Sequence, residues 1–128
     1  MKIVAVIVGA LLGLLFIASG VMILFNLVKT PEMPKDTAID YFMKAFGPTG
    51  YMKFIKVLEV LGGLFVAFPM TRNLGLLILG PIVVNILAFH VFVVGKIPVT
   101  DPMVLFVTIA SAFLLFVERQ AFAKLLTR

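Results

Sequence analysis

Five of the polar side chains set within long apolar stretches of this sequence could carry chemistry. Lys56 and Glu59 fall inside an apolar run from Tyr51 to Phe68, Asn85 and His90 inside another from Leu74 to Val94, and Asn26 near the end of a third from Ile3 to Val28. A carboxylate in hydrocarbon costs on the order of 3 kcal/mol on insertion scales unless it is protonated, paired or hydrated, so Glu59 needs a partner. Lys56, three residues earlier on the same helical arc, is the nearest candidate, and Asn85 and His90 are the candidates from another helix. Intramembrane groups of this kind mark ligand sites, substrate paths or proton relays, and a carboxylate beside a titratable imidazole suits proton transfer. The competing reading is a polar clasp that fixes helix register, and a His near the interface can simply snorkel.

Depth sharpens the grouping. At ~1.5 Å rise per residue, counted inward from Tyr51 or Val94, Lys56 and His90 lie roughly 6–8 Å deep, Glu59 about 12 Å and Asn85 about 14 Å. Asn26 belongs to the same end of the first run, so all five are expected in one half of the membrane. Asn85 and His90 are about 140° apart on an ideal helix, which lets both reach a bundle interior only from opposite margins. One of them can turn instead toward the last apolar run, where Thr108 and Ser111 offer hydroxyls.

The elements that must hold these residues follow from composition. Of 128 residues, 62% are hydrophobic and 13% charged, far from the balance of a water-soluble domain. Spans are expected over 3–28, 51–68, 74–94 and 102–117, giving an all-α antiparallel four-helix transmembrane bundle as a single domain. The first run continues through Val21-Met22-Ile23-Leu24-Phe25 beyond the small trio Ala18-Ser19-Gly20, which a cleaved signal peptide does not do. Met70-Thr71-Arg72-Asn73 is short enough to force an antiparallel hairpin, and Pro81 should kink the helix that contains it. The last run opens on Thr100 or Asp101 as N-cap with Pro102 at the first helical position, and its shortness leaves three spans plus a re-entrant segment as the fallback.

Between the first two runs, Thr30-Pro31-Glu32-Met33-Pro34 and Gly47-Pro48-Thr49-Gly50 bracket the one substantial hydrophilic stretch. Ile39, Phe42, Met43 and Phe46 recur there at helical spacing, with Asp36, Asp40 and Lys44 on the other face. The pattern predicts an amphipathic helix over 35–46, a periodic loop being the alternative. Gly9, Gly13 and Gly20, and then Gly63 with Ala67, form small-residue faces for close helix packing.

Charge excludes several functions. Eleven Lys and Arg against six Asp and Glu give +5, but scattered between apolar blocks, so the partner is a lipid bilayer and not nucleic acid. Without Cys there is no disulfide framework, iron–sulfur cluster or thiol redox centre. A single His leaves bis-histidine haem unavailable and gives Glu59 no second ligand for a convincing metal site. No glycine-rich phosphate loop or Ser/His/Asp arrangement is present. Four spans put both termini on one side with Lys2, Arg72, Arg119, Lys124 and Arg128. The opposite side holds Lys29, Lys35, Lys44, Lys53, Lys56 and Lys96 together with most of the acids. That balance favours cytoplasmic termini.

Three segments carry a family resemblance: Gly13-x-x-Phe16-x-x-x-Gly20, Lys56-Val57-Leu58-Glu59-Val60-Leu61-Gly62-Gly63, and Pro81-Ile82-Val83-Val84-Asn85-Ile86-Leu87-Ala88-Phe89-His90. Together they resemble the DoxX-like family of small bacterial integral membrane proteins, over the first three apolar runs. The resemblance implies a four-helix protein of the cytoplasmic membrane, with Lys56, Glu59, Asn85 and His90 at the family's polar positions. Relatives are linked to redox or oxidative-stress complexes, and the family name comes from a subunit of an archaeal thiosulfate:quinone oxidoreductase. The expectation is a non-catalytic or accessory subunit whose pocket of Lys56, Glu59, Asn85, His90 and Asn26 takes a small amphipathic ligand, with quinone as a candidate, or a partner helix. It carries no redox group of its own, so any oxidoreductase role needs a bound quinone or a partner subunit. Membrane-protein partnership or homo-oligomerisation fits the same expectation. A small proton-coupled carrier and a membrane assembly factor are the alternatives.

Overall fold

The structure, a computed structural model, describes residues 2–27, 34–95 and 101–126. These residues are helical, with no strand among them. The elements are α1 (Lys2–Leu24), α2 (Ala38–Phe46), α3 (Tyr51–Ala67), α4 (Arg72–Ala88), α5 (Pro102–Val117) and α6 (Arg119–Leu126). Short 3-10 turns, Gly47–Thr49 and Pro69–Thr71, lead into α3 and α4, and a π-helical segment, Phe89–Val94, continues α4. Lys29, Glu32, Lys96, Thr100, Arg128 and the Thr30–Met33 stretch lie outside the described residues.

Among the described residues two helices, Lys2–Leu24 and the continuous stretch Pro69–Val94, are long and apolar enough to cross a membrane. They become three if α5 and α6, bent by 76° at Glu118, form one broken span. α3 has 17 residues, about 25 Å of rise against ~30 Å of hydrocarbon. Outward positions such as Leu11, Leu14, Val84, Phe92, Ile109 and Phe116 are exposed and apolar, a surface that water does not favour.

Helix ends follow local chemistry. The first helix stops at Leu24, four residues before the expected end, because Asn26 adopts the left-handed conformation at φ 54°. The Leu27 N–H donates to Met22 O (2.8 Å) and the Asn26 N–H to Ile23 O (3.3 Å), the paired bonds of a Schellman ending. α4 starts two residues earlier than expected, at Arg72, where the Thr71 hydroxyl donates to Phe65 O at 2.7 Å and closes the hairpin. The helix runs through Pro81 to Val94 as one element and ends on Gly95 at φ 77°. α5 begins as its sequence dictates, with Asp101 accepting from the Met103 N–H at 3.0 Å and Pro102 in the first turn.

Packing is set by glycine. A Cβ on Gly13 would collide with the Gly63 carbonyl, one on Gly9 would lie 2.8 Å from Val66 O, and one on Gly20 would lie 3.1 Å from Lys56 O. α1 and α3 therefore run antiparallel with their backbones nearly touching. A Cβ on Gly75 would meet Val66 and Gly62, which brings α4 equally close to α3. α5 closes against both α1 and α4. Leu12, Val66, Leu79 and Leu114 are the most completely buried large side chains and form the centre of the core.

α2 is shorter than the 35–46 expected and differs in which face is covered. Thr37 caps it by accepting from the Asp40 N–H at 3.3 Å, while the Asp40 carboxylate accepts from the Asp36 N–H at 3.1 Å and pairs with Lys44 at 2.9 Å. This is a variant of the reciprocal capping box. Asp40, expected on the solvated face, is buried by its own turn, and Lys44 beside it holds its carboxyl below the usual carboxylate range. Ile39, Phe42 and Met43 face inward as the periodicity predicts, whereas Phe46 is exposed.

Candidate functional site

Glu59 lies on the face of α3 that also carries Gly62, Gly63 and Val66, and packing at those positions decides its orientation. It is 4% exposed, and Lys56 Nζ donates to its Oε2 at 3.0 Å. The Lys56 side chain is itself well covered, its stem reaching one turn along the helix to the acid. One requirement of the sequence, a partner for the carboxylate, is thus met within a single helix.

This pair is part of a wall between two cavities. The first, about 190 Å³, lies among α1, α3, α4 and α5 and is lined by Phe16, Ser19, His90, Asp101 and Val107 besides the pair. The second, about 170 Å³, lies beneath α2 and is lined by Phe42, Tyr51, Met52, Ile82, Asn85 and Phe89. Lys56, Glu59, Ile86 and His90 line both.

His90 connects the end of the α4 segment to the start of α5. Its Nδ1–H donates to Ile86 O at 2.9 Å, since a carbonyl can only accept. Nε2 then faces Asp101 Oδ2 at 3.7 Å, beyond direct hydrogen-bond range. Asp101 uses its other oxygen to cap α5, so one carboxylate serves both the helix start and the cavity.

The five expected residues separate. Lys56, Glu59 and His90 come together. Of these two cavities Asn85 lines only the second, where it is exposed, whereas His90 lines both. Asn26 does not join them: it is exposed and lines neither cavity, because its left-handed backbone ends α1. Thr108 donates its hydroxyl to Val104 O at 2.8 Å, and Ser111 Oγ is buried without a partner among the described residues; neither lines these cavities.

Two participants escape a search confined to the apolar runs. Asp101 is recognisable in the sequence as a cap but not as a cavity residue. At the other end, Arg72 Nη1 meets Glu118 Oε1 at 3.1 Å, joining α4 to the end of α5. Arg72 is 6% exposed and its Nε is buried without a partner among the described residues. A signal for this pair existed: Glu118 is the single acid on the termini side, where Arg72 also falls. Among the described residues no three of His, Asp and Glu converge as a metal site.

The arrangement can hold a hydrogen-bonding headgroup against Lys56 and Glu59, with apolar walls for the rest of the molecule. Comparison with known protein families, curated proteins and solved structures returns no match to the chain.

Proposed function

We propose that the chain is a DoxX-like protein of the cytoplasmic membrane, with α1, α3, α4 and α5 all crossing the bilayer as an antiparallel four-helix bundle and both termini in the cytoplasm. α3 and α5 are short, but snorkelling charges at their ends, Lys53 and Arg119, can make up the length. Within that bundle the protein acts as an accessory, non-catalytic subunit that retains a small amphipathic ligand, a quinone headgroup being one candidate. The observation that carries this reading is the buried Lys56–Glu59 pair forming the common wall of two cavities. A clasp needed only for register would be packed on every side.

The carrier alternative has less support. Leu12, Val66, Leu79 and Leu114, all almost wholly buried, form the apolar centre of the bundle. A carrier would need that apolar layer to part.

Native mass spectrometry of the protein purified from membranes tests the reading. The wild type is expected to retain an amphipathic small molecule that Glu59→Gln loses while staying folded. Equal retention by both, or none by the wild type, overturns it.

A further inference from the structure

The cavity beneath α2 has a lining specific enough to name what fits it. Phe42 from α2 meets Phe89 edge-on, ring centroids 5.0 Å apart, and Phe46 approaches Tyr51 at 5.2 Å, so aromatic contacts seat α2 over the opening of α3 and α4. Met43 and Met52 add thioethers to the same wall. Aromatic edges and polarizable sulfur favour another ring as occupant. Size limits that occupant: a cavity of about 150 Å³ takes one benzene, and this one offers about 170 Å³. There is room for a single six-membered ring with a small substituent.

The polar side fixes the substituent. The ion pair uses Glu59 Oε2 and one ammonium hydrogen of Lys56. Among the described residues, Glu59 Oε1 and the two other Lys56 hydrogens have no protein partner. Oε1 requires a donor and the ammonium requires an acceptor. A hydroxyl supplies both at once, whereas a carbonyl or ether leaves the carboxylate oxygen unserved, which is costly in a largely apolar site.

We propose that this compartment binds a phenol: a single hydroxylated aromatic ring held among Phe42, Tyr51 and Phe89, its hydroxyl donating to Glu59 and accepting from Lys56. The inference rests on the intramembrane ligand reading above and names the ligand's class and the compartment that holds it.

The test uses the full chain in lipid nanodiscs, with empty nanodiscs as the partition control. Binding of 4-methylphenol, p-xylene and 4-methylanisole is followed by ligand-observed NMR. The phenol is expected to saturate at least about tenfold more tightly than the other two, since a hydrogen bond to a charged group is worth that much. Glu59→Gln should reduce that advantage. Met52→Trp, which fills the compartment, should abolish binding, and Met43→Trp on α2 should do the same without altering a membrane helix. Ser19→Leu, which fills the other cavity, should leave phenol binding in place. Equal affinity for the three probes, no saturable binding, or loss with Ser19→Leu but not with the two tryptophans overturns the proposal. A native ligand that Glu59→Gln releases but 4-methylphenol fails to displace would overturn the phenol site alone and leave the ligand reading standing.

Discussion

Lys56–Glu59 and Arg72–Glu118 are both well-covered ion pairs in an apolar bundle, yet the first joins residues one turn apart on a single helix and the second joins α4 to the end of α5. The first pair has open space on two sides, while no described cavity is lined by the second. An i,i+3 pair contributes little to tertiary structure, because the helix already holds its members together. A pair between helices fixes their relative position and leaves an uncompensated charge when one partner is removed. On the proposed reading, the same chemistry serves binding at one end and cohesion at the other.

The contrast can be broken or sharpened experimentally. The largest effect is expected midway between the pairs: Gly13→Leu drives a side chain into the Gly63 carbonyl and should abolish monodisperse protein in size-exclusion chromatography. Gly80→Ala should be tolerated, since nothing lies within 4 Å of the added carbon. Arg72→Met strands Glu118 and should cost about 1–3 kcal/mol in a denaturation titration, less than the full cost of breaking a buried pair because Glu118 is 26% exposed. Glu59→Gln should cost less stability than Arg72→Met while releasing the bound ligand, because glutamine still accepts from Lys56 and the long ammonium side chain can snorkel toward the interface, whereas methionine leaves Glu118 with no partner. If Glu59→Gln proved as destabilising as Arg72→Met, the division of roles would be wrong.

The smallest effect concerns the helix over the second cavity. Asp40 has its native pKa lowered, first by the Lys44 hydrogen bond, so its contribution is complete above the unfolded carboxylate value and is lost as pH falls through the lower native one. Hydrogen exchange of the Asp36 and Asp40 amides should therefore accelerate only in strong acid, below about pH 4. Acceleration near neutrality would show that something other than Asp40 holds the start of α2.

Much of this was legible in the residues. Apolar periodicity and the spacing of Gly9, Gly13, Gly20 and Gly63 locate the helices and their close approach, because those patterns are properties of single helices. Glu59 and Lys56 were recognisable as a pair for the same reason. Asn26 was misplaced because residue type gives its depth but not its backbone conformation, and φ 54° makes it a helix ending. Asp40 was misplaced because a carboxylate used by its own turn is covered wherever the helical face points.

By itself, then, the sequence determined an all-helical chain with an apolar exterior, a start of α5 at Pro102 capped by Thr100 or Asp101, and an acid that had to be neutralised among apolar helices. Only the tertiary structure decided that Asp101 faces His90, that Arg72 reaches Glu118, and that α2 covers a ring-sized space beside Glu59. Periodicity and capping act over one or two turns and can be read along the chain. A cavity exists only where side chains distant in sequence fail to fill the space between helices, and no local pattern encodes that.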